Sequence, residues 1–554
     1  MKKNIIIAFA AILSLVGCSD SWLDRQYDGD EMSQEKYETL GTEKLEGTMS
    51  GLYTMVYTMS SSNHDCFGQR SIDLWGDILS GDIAVTGNTY GWLYSDEQML
   101  TINRTATVWS FYYKMIHNIN ITLKSIENEG EISSLIEQYG YPSDTCKYSY
   151  TANETTYALY MAQALALRGY CYANIARWYT PVQGSAIMGS ETFESYPCAP
   201  IYTEDDMASA NALTSCAGVY NRVFNDLKKS IDLFDKFGTY YRDSINDGTA
   251  FARNSKLEMD INVARGFIAY AYLNAAPYYA GTETAKTYYQ KAYSYANDVI
   301  LSGEYSIIPQ EQLYSTGFNS VDNASWMWGQ HVVTETAGGL RSWFGQMDIH
   351  SYSYAWAGDT KVIDENLKTE IPNWDGRSRW FNDGSKSSKF KDCPDGKFYS
   401  AACPTSTNTN DIDREWLSDN ILMRYESMYL IAAEACYFLD SLTAAADYLT
   451  YITDQRLNDE YPLSASDYAS FKATLSNSAT LLSAIEYNWR IEMWGEGYGL
   501  QTFRRLTPQL KSATKRKRGG NHLYNAGGEI SPTDTQFNMT IPSSETTYNN
   551  KINN

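Results

Sequence analysis

The sequence lacks the short motifs that mark most catalytic and metal centres. It holds no HExxH, GxSxG, P-loop or CxxC motif, and its five histidines are scattered along the chain. Hydrolysis, phosphoryl transfer and a histidine metal site therefore have no motif to support them. Four acidic residues near the amino terminus could coordinate calcium, although their spacing lacks the full signature of a calcium loop. These residues are Asp24, Asp28, Asp30 and Glu31.

Positive charge is also scarce. Lysine and arginine number 44 against 66 aspartate and glutamate residues, which gives a formal net charge of −22. This sign repels nucleic-acid phosphates, so a general nucleic-acid binder is excluded, and polyanionic ligands are disfavoured except at local basic patches. Aromatic residues, in contrast, are abundant, with 46 Tyr, 18 Phe and 14 Trp. Tyrosine and tryptophan combine an apolar face with a polar edge, which suits half-wet binding surfaces as well as cores.

The amino terminus has the pattern of a bacterial lipoprotein signal. Two lysines precede a mostly apolar stretch at 5–16, and small residues then lead to Cys18. We expect residues 1–17 to be removed and Cys18 to carry the lipid, with an ordinary secretory signal and a chance cysteine as the alternative. Later apolar stretches are too short to span a bilayer. Acidic residues just after Cys18 resemble surface-export signals, so we expect lipid anchoring on the exterior of the outer membrane.

Several segments repeat apolar residues at three- and four-residue spacing, which predicts helices. These segments are 157–179, 219–237, 261–276, 285–301, 420–439, 444–457 and 481–494. Most of them follow one another as pairs rich in Ala and Tyr, which favours tetratricopeptide-like hairpins without a strict repeat. We predict a mainly α fold in a single domain over 18–554. Long irregular stretches, above all at about 60–105 and 305–420, are the predicted place of function.

Five segments carry a resemblance to a known family. They read AQALALRGY followed by RWYTPV within 162–182, YQKAYSYANDVILSGEY at 289–305, MRYESMYLIAAEA at 423–435, WRIEMWGEG at 489–497 and IP at 541–542. In the same order, they resemble motifs of the SusD/RagB family of outer-membrane glycan-binding lipoproteins. Those motifs are an Ala/Arg-rich helix before a YGxVP turn, AxxxAxxVIxSGxY, RYAExYLIxAEA, ERRxELxxEG and a terminal PIP.

The resemblance implies an α-helical fold in which four tetratricopeptide-like units support an irregular ligand-binding layer. It also implies a partner, a SusC-like TonB-dependent transporter whose mouth the lipoprotein covers as a lid. Thr180 and Ser427 depart from the family motifs. The identity of the ligand therefore does not carry over from the family.

A sugar-binding site needs flat rings and polar groups close together. The C–H faces of a sugar stack on aromatic rings, each contact contributing on the order of 1 kcal/mol, while the hydroxyls pair with polar side chains. The first candidate set is Asp82, Asn88, Tyr90, Trp92 and Tyr94. In an extended segment its alternating rings share one side, and the family's glycan-contacting aromatics come from the corresponding loop. Packing of these rings as core is the alternative.

A second candidate set lies in the long middle stretch. Its members are Arg341, Trp343, Tyr352, Tyr354 and Trp356, with Gln346 and Asp348 among them. The last three aromatic residues again alternate, which favours three rings on one side of an extended segment. Burial in the core is an equally good alternative. Trp326 and Trp328 are predicted to be core, because the family has an apolar strand-like segment there.

Two charged patterns invite a catalytic or nucleic-acid interpretation. Glu492 and Glu496, four apart on a helix, resemble a carboxylate pair of the glycosidase type, but their position in the family's helix motif, flanked by Arg490 and Arg504, favours a structural ion-pair role. The basic run at 515–518 is predicted to be a solvated loop, with contact to the transporter or to lipid phosphates as the alternative.

Together these features favour a non-catalytic glycan-binding lipoprotein that hands oligosaccharides to the transporter. An oligopeptide receptor of the same family is one alternative. A surface glycoside hydrolase with its carboxylates in the irregular stretches is the other. No cofactor is expected, calcium being the one metal that the sequence leaves open.

Overall fold

The computed structural model describes residues 42–59, 63–87, 97–207, 210–245, 256–385, 387–398, 416–510 and 514–552. Its helices are α1 Thr42–Val56, α2 Gln69–Ser80, α3 Glu97–Gly130, α4 Ile132–Tyr139, α5 Ala152–Tyr179, α6 Cys216–Tyr240, α7 Ile261–Ala275, α8 Glu283–Leu301, α9 Trp343–Met347, α10 Tyr354–Ala357, α11 Glu365–Glu370, α12 Glu426–Phe438, α13 Leu442–Thr453, α14 Ala465–Thr474, α15 Ser478–Glu492, α16 Gly499–Leu506 and α17 Ser543–Tyr548. Its strands are β1 Ile83–Val85, β2 Pro197–Pro200, β3 Leu213–Ser215, β4 Trp326–Gln330, β5 Lys361–Ile363, β6 Asn420–Arg424, β7 Arg516–Lys517 and β8 Glu529–Ile530.

The chain divides into two compact units, residues 1–50 and 51–554. The described part of the first unit, 42–50, is helical. The second unit holds every described element after α1. The single domain over 18–554 stays a prediction.

Helix α5 shows why the predicted segments are helical. Thr151 caps its amino end, accepting the Glu154 N–H at 3.2 Å while the Glu154 carboxylate accepts the Thr151 N–H at 2.7 Å. The helix ends at Tyr179 because Pro181 disfavours helical geometry in the residue before it and cannot extend the hydrogen-bond ladder. Most of its side chains are buried. Burial on all sides is typical of a helix enclosed by neighbouring elements.

The long helices pack one on the next. Helix α3 packs on α5, α5 on α6, α6 on α7, α7 on α8, α8 on α12 and α12 on α13. A glycine permits the close approach of α5 and α6, since a Cβ at Gly169 would lie 2.7 Å from Cγ of Leu227. This order of packing confirms the mainly α fold built from helical hairpins.

The described strands form two-stranded antiparallel pairs. Strand β1 pairs with β5, with Val85 opposite Lys361. Strand β4 pairs with β6, and its residues Trp326 and Trp328 are buried, as predicted. These two pairs fix the middle stretch of the chain against segments far away in sequence.

Residues 60–105 differ from the prediction of an irregular loop, since they contain α2, β1 and the start of α3. All twelve residues of α2 are buried. Its apolar residues Ile72, Trp75 and Leu79 follow helical spacing, but the polar and charged residues between them are buried as well. Its polar groups find distant partners: the Asp77 carboxylate accepts the backbone N–H groups of Gly497 and Gly499 at 3.1 and 2.8 Å.

Within the described part of the chain, no helix combines the length and the apolar character that crossing a bilayer requires.

Candidate functional site

The β1–β5 pair brings the two candidate segments to one place. Beyond the pair, the Thr86 N–H donates to the Thr360 carbonyl oxygen at 3.0 Å. Gly87 then lies so close to Gly358 that a Cβ at position 87 would collide with the Gly358 carbonyl oxygen. Four predicted residues of the first candidate set follow directly and lie outside the described residues, so their role stays a prediction. They are Asn88, Tyr90, Trp92 and Tyr94.

The second segment is helical rather than extended. Ser353 caps α10, its hydroxyl oxygen accepting the Trp356 N–H at 3.0 Å. Tyr352 directly precedes the cap, and its ring meets that of Trp356 in the first turn, with ring centroids 5.8 Å apart and planes at 59°. Contact between the residue before a cap and the first helical turn is common. Tyr352 is 52% exposed, and Trp356 is half-buried.

Tyr354, between the two rings, is buried instead of exposed. Its hydroxyl pairs with Nδ1 of His64 at 2.7 Å, and the two rings meet edge to face. The predicted row of three rings is therefore a pair, formed by Tyr352 and Trp356, because the helical turn directs Tyr354 inward.

The exposed pair stands on a packed base. Trp356 lies against a buried apolar cluster that includes residues of both strands of the β1–β5 pair. The cluster consists of Ala84, Ile349, Ala355, Val362, Phe390 and Cys393. A ring held on such a base keeps its orientation before a ligand arrives, which lowers the entropic cost of binding.

Buried polar groups fix the loop that leads to the pair. The Trp416 indole N–H donates to Asp348 Oδ2 at 2.9 Å, and the Ser351 hydroxyl donates to the same oxygen at 2.6 Å. The Gln346 side-chain amide donates to the His64 carbonyl oxygen at 3.2 Å. Asp348 and Gln346 are buried, so they hold the loop in place and do not face a ligand.

The structure separates Arg341 from Trp343. Arg341 is exposed. Trp343 is buried, with the Arg70 guanidinium 4.5 Å from its ring centroid and the Phe398 ring 4.9 Å away. The geometry therefore does not support Trp343 as a ligand contact, and its ring belongs to the core.

Asp82 is also placed inside the fold. It is buried, and its Oδ1 accepts from Arg490 Nε at 2.7 Å and from Arg516 Nη1 at 3.1 Å. A carboxylate held in this way offers no exposed oxygen to a sugar. The prediction of a solvated loop at 515–518 was wrong, because Arg516 contacts Asp82 and both Arg516 and Arg518 are buried.

Glu492 and Glu496 form structural ion pairs, as predicted. Glu492 contacts Arg424 and Arg456, each at 2.8 Å, and Glu496 contacts Arg424 at 2.9 Å and Lys397 at 2.7 Å. Burial alone would raise the pKa of Glu492, but Arg456 and Arg424 hold that pKa well below its ordinary value.

The flanking arginines are not the partners of these glutamates. Arg490 pairs with Asp82, and Arg504 donates to the carbonyl oxygens of Arg177 and Thr180. A glycosidase acid needs a raised pKa and contact with substrate. Burial raises both pKa values, but Arg456 and Arg424 lower the pKa of Glu492, and Arg424 and Lys397 lower that of Glu496, so neither carboxylate has the raised pKa of a glycosidase acid.

Metal ligands are not grouped in the described residues. No cluster of three or more His, Cys, Asp or Glu side chains there is arranged to hold an ion. The four acidic residues considered for calcium, at 24–31, lie outside the described residues.

Sequence reasoning missed one residue at the ring pair. Lys389 is exposed, its ammonium lies 5.1 Å from the Trp356 ring centroid, and it donates to the Trp356 carbonyl oxygen at 2.6 Å. The available signal was SKSSKFK at 385–391, a run of three lysines in an acidic chain.

Comparison with known proteins agrees with the fold. Residues 330–554 match the SusD family. The structure is similar to a SusD-like carbohydrate binding protein from Bacteroides vulgatus, with a TM-score of 0.63 and 20% identity over 92% of this chain and 97% of that one. It is also similar to a SusD superfamily protein from Bacteroides thetaiotaomicron, with a TM-score of 0.65 and 18% identity over 93% of this chain and 99% of that one.

No curated protein matches the sequence. The sequence match over 330–554 and the shared fold over more than nine-tenths of the chain agree with the motifs found along the sequence. Residues 330–554 are therefore similar in sequence to the SusD family, and the chain has the fold of the solved SusD-like structures.

Proposed function

We propose that the protein is a cell-surface glycan-binding lipoprotein that captures oligosaccharides and delivers them to a partner TonB-dependent outer-membrane transporter. The observation that carries the binding step is the exposed Tyr352 ring beside the half-buried Trp356 on a packed base. A solved structure of the same fold is described as a SusD-like carbohydrate binding protein, which supports the ligand class.

Two rings alone make a weak site. At on the order of 1 kcal/mol each, they supply about half of the free energy that a millimolar Kd requires. Further contacts are needed, and the predicted rings Tyr90, Trp92 and Tyr94 are their proposed source. The chain enters that segment beside Gly358, which closes the turn carrying Trp356. One continuous surface built from both segments would supply the arc of rings that a glycan needs.

Anchoring and delivery rest on the sequence pattern and on the family resemblance. If Cys18 carries lipid, Cys18→Ala should move the protein from the membrane pellet to the supernatant without changing glycan affinity. Isolation of the wild-type protein from its native membrane should recover a large β-barrel transporter with it. Recovery of the lipoprotein alone would count against the delivery step.

Affinity electrophoresis against plant, host and microbial polysaccharides tests the binding step. At least one glycan should retard the wild-type protein, and Tyr352→Ala and Trp356→Ala should each weaken that retardation about fivefold, the effect of losing one ring contact. Tyr461, which is 62% exposed, and Trp374, half-buried against Phe471, provide matched control variants outside the site. Tyr461→Ala and Trp374→Ala should leave the retardation unchanged.

The same incubations separate the alternatives. Reducing ends that accumulate over time would indicate a glycoside hydrolase. Failure to retard on every glycan, together with saturable binding of an oligopeptide mixture that Tyr352→Ala weakens, would favour the oligopeptide receptor.

A further inference from the structure

The charges around the ring pair differ from those of the whole chain. The chain carries a formal −22, yet Lys389 lies over the Trp356 ring, and neither it nor the exposed Lys391 in the same segment forms an ion pair with a described carboxylate. Of the acids in this segment, Asp392 is paired with Lys368, whereas Asp395 contacts His350, which is counted as neutral in the formal charge. Lys389 therefore places a positive charge against the ring pair.

One further acid lies in the same segment. Asp383 is exposed, and its carboxylate accepts the Ser385 N–H at 2.7 Å. With His350 counted as neutral, Asp383 and Asp395 together balance Lys389 and Lys391. The described segment therefore lacks the negative excess of the whole chain.

Lys389 is a positioned cation. Its ammonium donates to the Trp356 carbonyl oxygen at 2.6 Å and lies 5.1 Å from the Trp356 ring centroid and 4.8 Å from that of Phe390. An ammonium has three donors, so two remain for a ligand after the bond to Trp356. Because the side chain is already held, pairing with an anion costs less conformational entropy than for a free lysine.

Resting on the proposed function, we infer that the glycan is anionic: a sugar stacks on Tyr352 while its carboxylate or sulfate pairs with the ammonium of Lys389. The acidic body repels polyanions at long range, but at 0.15 M salt charges separated by more than about 8 Å are largely screened. Within that distance, the contact with Lys389 determines the preference for an anionic over a neutral glycan. The paired group is either a uronic-acid carboxylate or a sulfate ester, both of which accept from an ammonium.

Paired polysaccharides test this inference. Polygalacturonate and alginate are each offered in native form and after reduction of the carboxylates to alcohols, and chondroitin sulfate before and after desulfation. At least one native polysaccharide should bind about three- to tenfold more tightly than its counterpart without the carboxylate or the sulfate, the range of a partly exposed charge-assisted contact. Lys389→Gln should abolish most of this difference in affinity, and Lys389→Arg should retain it.

Lys472 supplies the matched control. It is exposed and lies 4.7 Å from the Tyr468 ring centroid, so it repeats the lysine-over-ring arrangement away from the site. Lys472→Gln should leave the affinity ratio of each polysaccharide pair unchanged. Circular dichroism melting should show that Lys389→Gln is folded.

The outcomes distinguish the two proposals. The anionic preference is overturned if only the reduced or desulfated polysaccharides bind, or if Lys389→Gln does not reduce the affinity ratio between the native and the treated forms. If Tyr352→Ala still weakens the binding of the treated polysaccharides, the proposed function stands. If no glycan in this panel or in the wider panel binds, both proposals fail.

Discussion

At the scale of single residues, Tyr352 and Tyr354 show why the ring pair could be predicted only in part. Both residues sit in one alternating aromatic pattern, yet one is exposed and the other is buried against His64. The pattern identified the segment, but the Ser353 cap makes it a helical turn, and a turn reverses which positions share a side. Residue type alone could not reveal whether the segment is extended or helical, and therefore which tyrosine is exposed.

The two tyrosines should therefore respond to substitution in opposite ways. Tyr354→Phe removes the hydroxyl that pairs with His64 and should lower the free energy of unfolding by about 1 kcal/mol while leaving glycan affinity unchanged. Tyr352→Ala should weaken affinity and change stability by less than about 0.5 kcal/mol. Urea unfolding and titration with the bound glycan measure both. Weakened affinity in Tyr354→Phe at unchanged stability would contradict the assignment of the exposed ring.

Asp77 should make stability depend on pH. Burial raises the pKa of Asp77 to about 7, from an ordinary 3.8, although the N–H groups of Gly497 and Gly499 oppose the shift. Because the folded pKa is the higher one, the stabilisation is fully present below about pH 4 and is lost as the pH rises through 7. This single group should lower the free energy of unfolding by roughly 4 kcal/mol between those limits.

Urea unfolding from about pH 5 to about pH 8 measures this effect. Asp77→Asn cannot ionise, so its stability should fall less over that range than that of the wild-type protein. The exposed Asp205, which pairs with Lys124 at the surface, gives the control Asp205→Asn, whose profile should follow the wild type. Equal slopes for the wild type and Asp77→Asn would show that Asp77 is ionised in the fold throughout.

At the scale of elements, α5 and α2 differ in how much the local sequence pattern predicts. Helix α5 could be predicted from its spacing and from Pro181 beyond its end, because the information lies within the segment. Helix α2 has apolar residues at helical spacing on one side, but the burial of its polar residues could not be predicted, since their partners are distant groups such as the Gly497 N–H. The β1–β5 pair was equally invisible, because β1 and β5 are only three residues long and their partners lie far apart in sequence.

The contact of α5 with α6 should be sensitive to a single methyl group. Gly169→Ala gains helix propensity worth about 1 kcal/mol, but its Cβ would lie 2.7 Å from Cγ of Leu227 and 3.0 Å from its Cδ2. Overpacking of this kind costs about 1–3 kcal/mol, so we expect a net loss of unfolding free energy in urea. In a Leu227→Ala background the cost of Gly169→Ala should shrink, because the clash is gone.

Gly238 in α6 is the matched control. The nearest atom to its added Cβ is Cδ2 of Leu159 at 4.0 Å, so Gly238→Ala should stabilise the protein by up to about 1 kcal/mol. A stabilising Gly169→Ala would show that the two helices can separate without loss.

At the scale of the whole molecule, the sequence motifs sufficed to predict the helical scaffold, but not the charge network inside it. That Glu492 is ion-paired could be predicted. Its partners could not, because Arg377, Arg424 and Arg456 reach it from three separate segments. The same limit applies to the site: Tyr352 was found through its aromatic pattern, whereas Lys389 acquires its meaning only through its position over Trp356.

Net charge leads to a kinetic prediction at this scale. If the ligand is anionic, the −22 of the chain slows its approach at low salt, where the Debye length is about 30 Å at 0.01 M, and much less at 0.15 M, where it is about 8 Å. The association rate constant for the native polysaccharide should therefore rise with salt over that range. The dissociation rate constant should rise too, because salt weakens the local contact with Lys389. Surface plasmon resonance resolves both rates, and a neutral glycan that binds the same site should show neither trend. An association rate that falls with added salt would mean that the ligand senses a positive field extending well beyond Lys389 and Lys391.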